Sequence, residues 1–326
     1  MYEGKRILVT GGTGSWGEEL VQQLLHRSPH EIIVYSRNEH KQFSMKSKLD
    51  SSVIKFQLGD VMDAERLQEV CAGVDYVFHL AALKHVPVCE IQPYEALKIN
   101  VIGTQNVIKA ALDAGVKRVI NVSTDKAADP SNFYGLTKAM AEKLIVSANL
   151  MSKETRFINV RGGNVLGTSG SVVDLFKDQI RRKSKVEITD QAMTRFFMTK
   201  EEAIELLIWA AGKGKGGETF IMKMPSFRIM DLAEVLIDAF GHRDVAVTNI
   251  GIRPGEKIHE LLYSEFESQT TYEYNNQYYI MLPQIAIPEL EGAYHLPAVT
   301  KRLYSSCDTL LAKPEIEQLL VKGGFM

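Results

Sequence analysis

The run Arg6-Ile7-Leu8-Val9-Thr10 passes without a break into Gly11-Gly12-Thr13-Gly14-Ser15-Trp16-Gly17, and helix-like spacing (Leu20, Val21, Leu24, Leu25) begins at once. Gly11 permits a tight turn, Gly14 lets a backbone approach a pyrophosphate, and Gly17 lets the helix pack closely on a sheet. The helix N-terminus adds N–H donors and the positive end of its dipole. Glycines at this spacing are weak evidence alone, but the strand before and the helix after supply the context of a dinucleotide cradle. Gly11, Thr13, Gly14, Ser15, Trp16 and Gly17 are therefore expected to hold a dinucleotide cofactor.

The same alternation continues. β-rich runs at 31–35, 53–58, 74–80, 118–122 and 156–160 are separated by stretches with helical apolar spacing, such as Ala96, Ile99, Gly103, Val107 and Ala110. Strand, helix, strand implies right-handed crossovers and a parallel sheet. Near-continuous apolar strands (ILVT, YVFHLAA) suit a sheet buried on both faces. After about residue 165, helical pieces at 172–182, 201–211 and 230–240 alternate with short strands and Pro/Gly punctuation, with no polar linker. The expected fold is α/β, a Rossmann-type doubly wound parallel sheet with a smaller interleaved C-terminal α/β substrate region. Residues 1–165 should form the cofactor domain, to which a segment near 190–222 returns, and 166–326 should mainly bind substrate. The ligand cleft lies between them.

Composition limits what that cleft can serve. With 38 basic and 40 acidic side chains the net charge is −2, which leaves no electrostatic footprint for nucleic acid or an anionic membrane. The N-terminus has no long apolar core, and runs such as 204–211 fall short of the roughly 18–20 residues of a bilayer span, so a soluble cytoplasmic protein is expected. Cys71, Cys89 and Cys307 lie far apart without a CxxC pair and are expected to be buried, spare thiols. His79 sits in an apolar strand and reads as a core histidine; His85 and His259 lack a ligand-spaced partner, so no metal is expected.

The second strand ends Ile33-Val34-Tyr35-Ser36-Arg37, where an NAD site normally places Asp or Glu for the ribose hydroxyls. Ser36 and Arg37, with Lys41 close by, suit a 2′-phosphate instead and favour NADP. Asp60 and Val61, after the third strand, can reach the adenine, and the small Ala81 and Ala82 follow the fourth where the cofactor must pass. Tyr134 and Lys138 are four apart on a helix and share a face. A lysine ammonium near a phenol lowers a pKa that starts near about 10, so Tyr134 can act as a general base toward a sugar hydroxyl. The strand ending Asn121-Val122-Ser123-Thr124-Asp125-Lys126 brings Thr124, Asp125 and Lys126 to the same carboxyl edge.

On these residues the chain resembles the extended short-chain dehydrogenase/reductases and, more narrowly, the UDP-N-acetylglucosamine 4,6-dehydratases that invert C5. TGGTGSWG, YSRNEHKQ, GDVMD, HLAALKHVP, STDKA, NFYGLTKA, RGGNVLG, ITDQAMTRFFM, IRPGEKIHE and the late YSS carry the resemblance, to about residue 306. It implies NADP as cofactor, UDP-N-acetylglucosamine as substrate, a homo-oligomer, and surface-sugar biosynthesis of the pseudaminic acid type. It also implies roles: Tyr134 takes the C4 hydroxyl proton, Lys126 removes H5, and a protonated Asp125 serves the departing C6 hydroxyl. Hydride returned to C6 then gives a 4-keto-6-deoxy sugar nucleotide. A 4-epimerase of the superfamily typically has small or hydroxyl residues where Asp125 and Lys126 stand. At the substrate end, Arg253 and Lys257 offer cations to the diphosphate and Glu256 a carboxylate to the ribose. Asn164 and Arg195 are similar to substrate-holding positions, and Lys84 resembles a residue near the sugar or cofactor phosphates.

Two segments depart from the family's usual R-Y-G-N and S-R-G-S: the aromatic is Gly162 and the arginine is Ser169. More room beside the sugar is expected there, and with it an alternative in which hydride returns to C4 and a 5,6-ene is released. A 4-epimerase is a second alternative, and a catalytically silent NADP sensor a third, against which the Tyr134/Lys138 and Asp125-Lys126 pairs both argue.

Overall fold

A computed structural model describes residues 1–168, 170–241 and 245–326. In the first half, β1 (Arg6–Thr10), β2 (Glu31–Ser36), β3 (Ile54–Leu58), β4 (Tyr76–His79), β5 (Arg118–Thr124) and β6 (Arg156–Gly162) alternate with helices. These are α1 (Ser15–Leu25), α2 (Glu39–Leu49), α3 (Ala64–Cys71), α4 (Val86–Ile91), α5 (Pro93–Leu97), α6 (Gly103–Asp113) and α7 (Phe133–Ala148). The spacing over 96–110 that suggests one helix is the end of α5, a π-type turn at Lys98–Ile102, and α6.

The second half runs β7 (Asn164–Val165), α8 (Val172–Lys183), β8 (Lys185–Ile188), β9 (Thr194–Met198), α9 (Lys200–Lys213), β10 (Thr219–Met222), β11 (Ser226–Arg228) and α10 (Ile229–Phe240). It ends with β12 (Ala246–Asn249), β13 (Leu261–Tyr263), α11 (Glu265–Ser268), β14 (Thr271–Glu273), β15 (Tyr278–Met281), β16 (Tyr304–Ser305) and α12 (Lys313–Lys322).

Nine strands form one sheet in the order β14-β15-β10-β6-β5-β4-β1-β2-β3. β1 to β6 and β10 are parallel, and β15 and β14 add antiparallel at one edge. The chain steps from β1 outward to β2 and β3, then returns to β4 and moves the other way. That reversal opens a crevice at the carboxyl ends of β1 and β4, the usual ligand position in such sheets.

Alternation along each strand feeds two dry cores. Ile7 and Val9 point to the side of α1 and α9, against Leu20, Leu24, Ile204 and Leu207; Leu8, Ile33, Val77 and Val119 point to the side of α3, α6 and α7, against Leu67, Val107, Ile108 and Ile145. Burial on both faces is why the middles of β1, β2 and β4 (ILV, IIV, YVF) are apolar without alternation. A third core lies in the second half, where α8, α10 and α12 pack Phe176, Ile180, Leu232, Leu236, Ile316 and Leu320 around the stacked rings of Phe197 and Phe227. Two small sheets, β11-β9-β7 and β12-β8, border it, and another, β13-β16, packs Leu262, Tyr263 and Tyr304 into the first core. Thus α9 and β10 pack in or on the main sheet, whereas β9 pairs with β7 and β11.

The two halves are tied by Arg161 on β6, whose side chain is fully buried. Its Nη2 lies 2.6 Å from Glu142 Oε2 on α7 and 2.9 Å from Glu267 Oε1 on α11, and Nη1 donates to the Leu262 carbonyl. Cys71 and Cys89 are buried, but Cys307 is exposed, because it follows the short edge strand β16 into a surface turn. Among the described residues no helix is long and apolar enough to cross a membrane.

Candidate active site

The carboxyl edge of the main sheet and the third core enclose a cleft of about 790 Å³. Every residue expected to hold cofactor or substrate except Lys257 lines it, as do Thr124, Lys126, Tyr134 and Lys138; Asp125 stands just behind its wall.

At one end β1 turns into α1. Gly11 has φ +68°, and a Cβ there would come within 2.8 Å of the Ala81 nitrogen, while a Cβ on Gly17 would overlap Gly12. The turn therefore closes only with glycine, and it leaves the first N–H groups of α1 facing the cleft. Ser36 is held by Gln42, whose Nε2 donates to its Oγ at 3.0 Å. Arg37 reaches Asp60 across an exposed 3.4 Å contact, so its guanidinium is partly engaged. Lys84 is different: burial and the neighbouring Lys41 ammonium both push its amine down. Two cations converging in this way make an anion site.

The reacting centre is built from the end of β5, the 3₁₀ turn Asp125–Ala127 and the first turn of α7. Asn132 caps α7 by accepting from Gly135 N–H at 2.8 Å, and Gly135 presses against the Lys126 carbonyl, where any Cβ would overlap it. Tyr134 and Lys126 are thereby fixed to one another. Lys126 Nζ donates to Asp125 Oδ1 at 3.0 Å, and Thr124 Oγ1 donates to the same oxygen at 2.9 Å. Among the described residues Asp125 Oδ2 is buried without a partner, as is Ser123 Oγ, which belongs to a residue lining the cleft. Such orphaned atoms ask for an explanation, and a bound ligand is one.

The electrostatics differ from the sequence expectation in one respect. Burial pushes Tyr134 up to about 12, and the cation that draws it back is Lys126, with hydrogen bonding to Thr124 acting in the same direction. Lys138, expected to play that part, lies one turn deeper, where burial pushes it down to about 8 against the pull of Glu142. Its charge is felt by His79 instead. That histidine is a core residue, bridging Thr10 Oγ1 (2.7 Å) and Thr104 Oγ1 (3.1 Å) and held down to about 3 by burial.

At the other end, Arg253 and Glu256 face the cleft, 3.8 Å apart, with Asn164 at the start of β7. Arg195 lines the cleft with a guanidinium already committed: Nη1 donates to the Thr194 and Ile258 carbonyls and Nη2 to that of Lys257. Lys257, expected to meet a diphosphate, is turned to the Ala128 and Asp129 carbonyls and the Asp129 carboxylate. Three acceptors presented by one turn outbid an open cleft for its ammonium.

Sequence reasoning missed the apolar wall of Val172, Leu175, Phe176, Ile188 and Met193, with Thr189 among them. Their spacing reads as ordinary core, and only the meeting of α8 with β8 makes them a pocket. It also missed Glu260, which stands 3.5 Å from Lys126 Nζ. The room expected beside Gly162 is taken: Trp16 Cη2 would lie 3.2 Å from a Cβ there, so the indole fills the place of a side chain on β6. Ser169 lies outside the described residues.

Comparison with known proteins bears on this geometry. Residues 7–282 match the family model described as polysaccharide biosynthesis protein. A UDP-N-acetylglucosamine 4,6-dehydratase (inverting) from Campylobacter jejuni is 44% identical over 306 residues, covering 93% of this chain and 90% of that protein. A UDP-glucose 4-epimerase from Rickettsia prowazekii is 41% identical over 270 residues, 81% of this chain and 79% of that one. Among solved structures, Pen from Bacillus thuringiensis superposes with a TM-score of 0.91 at 38% identity, covering 98% of this chain and 99% of its own.

Proposed function

The chain belongs to the polysaccharide biosynthesis protein family, and we propose that it is an NADP-dependent, C5-inverting UDP-N-acetylglucosamine 4,6-dehydratase. The observation that carries this reading is the buried Asp125-Lys126 pair beside Tyr134. Oxidation and re-reduction at C4, which is all an epimerase needs, calls for a base at the C4 hydroxyl. Removing H5 and expelling O6 calls for a second base and an acid, and this pair supplies both residue types at one place.

The glycine cradle, the small Ala81 and Ala82 and the neighbouring cations Lys41 and Lys84 fit a phosphorylated dinucleotide. When bound, its nicotinamide accepts the C4 hydride and later returns it. Gly11 to Gly17 would hold the pyrophosphate, Asp60 and Val61 the adenine, and Ser36, Arg37 and Lys41 the 2′-phosphate. Residues 1–165, with 190–222, serve the cofactor in this reading; 166–326 mainly serve the UDP-sugar through Asn164, Arg253, Glu256 and the α8 wall, with Arg195 holding the loop that carries Arg253.

Tyr134 takes the C4 hydroxyl proton, and Lys126 and hydrogen bonding to Thr124 favour its anion. The resulting C4 ketone acidifies H5, which Lys126 removes. Lys126 must be neutral to do so, and Asp125 protonated to release O6 as water. A single proton crossing the 3.0 Å contact from Nζ to Oδ1 produces both forms at once. Ser123 Oγ, on a residue lining the cleft and without a partner among the described residues, is left for the ligands. Hydride returned to C6 and a proton taken up from solvent at C5 on the opposite face complete the sequence, so the net change is loss of one water, with the cofactor ending as it began.

The test is the product made from UDP-N-acetylglucosamine. Loss of the mass of one water together with a C6 methyl signal in the proton NMR spectrum is expected. Vinyl protons instead would mean hydride return to C4, and an unchanged mass with inversion at C4 would mean an epimerase.

A further inference from the structure

Behind Lys126 and Arg195, which line the cleft, lies a carboxylate that the mechanism above does not use. Glu260, between the Arg253 loop and β13, is 3% exposed. Its Oε1 stands 3.5 Å from Lys126 Nζ and 3.7 Å from Arg195 Nε. The backbone on which it rides is pinned: Glu260 N–H donates to Ser306 Oγ at 2.9 Å, and its carbonyl accepts from Ser306 N–H at 2.9 Å. Ser306 Oγ is in turn 2.7 Å from Thr194 Oγ1, next to Arg195. The carboxylate is thus delivered to Lys126 by a braced segment.

We propose that Glu260 is the positioning residue for Lys126, fixing its amine beside Asp125 and setting the pH at which the amine gives up its proton. The inference rests on the reading that Lys126 is the base at C5, and deepens it. Burying a carboxylate is costly unless it is paired. Arg195 Nη1 and Nη2 already donate to three carbonyls, so Glu260 is shared between the Arg195 Nε and the nearer Lys126 amine. The groups that face the Lys126 amine are Asp125 and Glu260, which favour its ammonium, Arg195, which opposes it, and the Tyr134 phenol.

Asp125, Lys126, Glu260 and Arg195 together carry no net charge. When the Lys126 proton crosses to Asp125, Glu260 and Arg195 still cancel, so both proton positions are neutral overall in a buried site. Without Glu260 the Arg195 charge would oppose the Lys126 ammonium with only Asp125 left to favour it, so the amine would give up its proton at lower pH.

The test titrates Lys126 itself in the cofactor-bound protein. In ¹³C-lysine-labelled protein the Lys126 signal is identified by its loss in Lys126→Arg, and followed against pH in wild type, Glu260→Gln and Glu260→Asp. The midpoint should fall by at least about one pH unit in Glu260→Gln and less in Glu260→Asp, which also guards against a misfolded glutamine variant. The alkaline limb of kcat/KM for UDP-N-acetylglucosamine should move the same way. A purely structural role would lower the melting temperature and leave both midpoints in place, and that result overturns the proposal. If wild type fails to dehydrate the sugar nucleotide while the Lys126 midpoint still shifts, the functional reading fails and the Glu260 coupling stands.

Discussion

At the scale of single residues, the chemistry turns on who neighbours whom, and the sequence reveals only part of that. Thr124-Asp125-Lys126 and Tyr134 with Lys138 are legible because each group is local and its geometry follows from one strand end or one helix turn. Which lysine acts on the phenol is not, since helix spacing gives a shared face but no depth; burial sends Lys138 toward His79 and leaves Lys126 at Tyr134. Trp16 and Gly162 make the same point, because a vacancy on β6 is visible in the sequence while the indole that fills it comes from the first turn of α1. Lys41 carries a prediction at this scale. If it meets a 2′-phosphate, Lys41→Ala weakens NADP binding by about tenfold to a hundredfold, the worth of one charge-assisted contact, and barely changes NAD binding. Calorimetry with both dinucleotides checks this, and equal losses for the two would place Lys41 elsewhere.

At the scale of elements, β5, its 3₁₀ turn and α7 behave as one unit, held by the Asn132 cap and by Gly135 against the turn. That unit is docked through Glu142 to Arg161 on β6, and through Arg161 to Glu267 on α11. Removing one partner of a fully buried cation leaves charge uncompensated, so Glu142→Gln should cost about 3 kcal/mol in urea unfolding. A variant as stable as wild type would mean that Glu267 alone satisfies Arg161. The parallel core of β1 to β6 was legible, since apolar-centred runs of 4 to 7 residues alternating with helices admit few arrangements. The strands of the second half were not. β9, β14 and β15 are 3 to 5 residues long and rich in aromatics, and which sheet they join is decided by pairing partners far away in sequence.

At the scale of the molecule, two dry cores flank the sheet and one closes the cleft, and a buried neutral histidine links this packing to pH. His79 stands at about 3, well below the ordinary value near 6.5 that it regains on unfolding. Below pH 6.5 the unfolded chain binds a proton that the folded chain refuses, so stability falls as pH drops from there toward 3. Between pH 7 and pH 5 this one group should cost about 2 kcal/mol, and His79→Gln should lose that much less over the same interval. Identical pH slopes in the two proteins would show that His79 is protonated in the fold. The proposed function rests on the Lys126 amine acting as the base at carbon 5, and solvent isotope reports on it most directly. With UDP-N-acetylglucosamine in deuterium oxide, wild type should place deuterium at C5, and Lys126→Ala should place none while still binding the dinucleotide. Deuterium arriving at C5 in that variant as fast as in wild type would contradict the account.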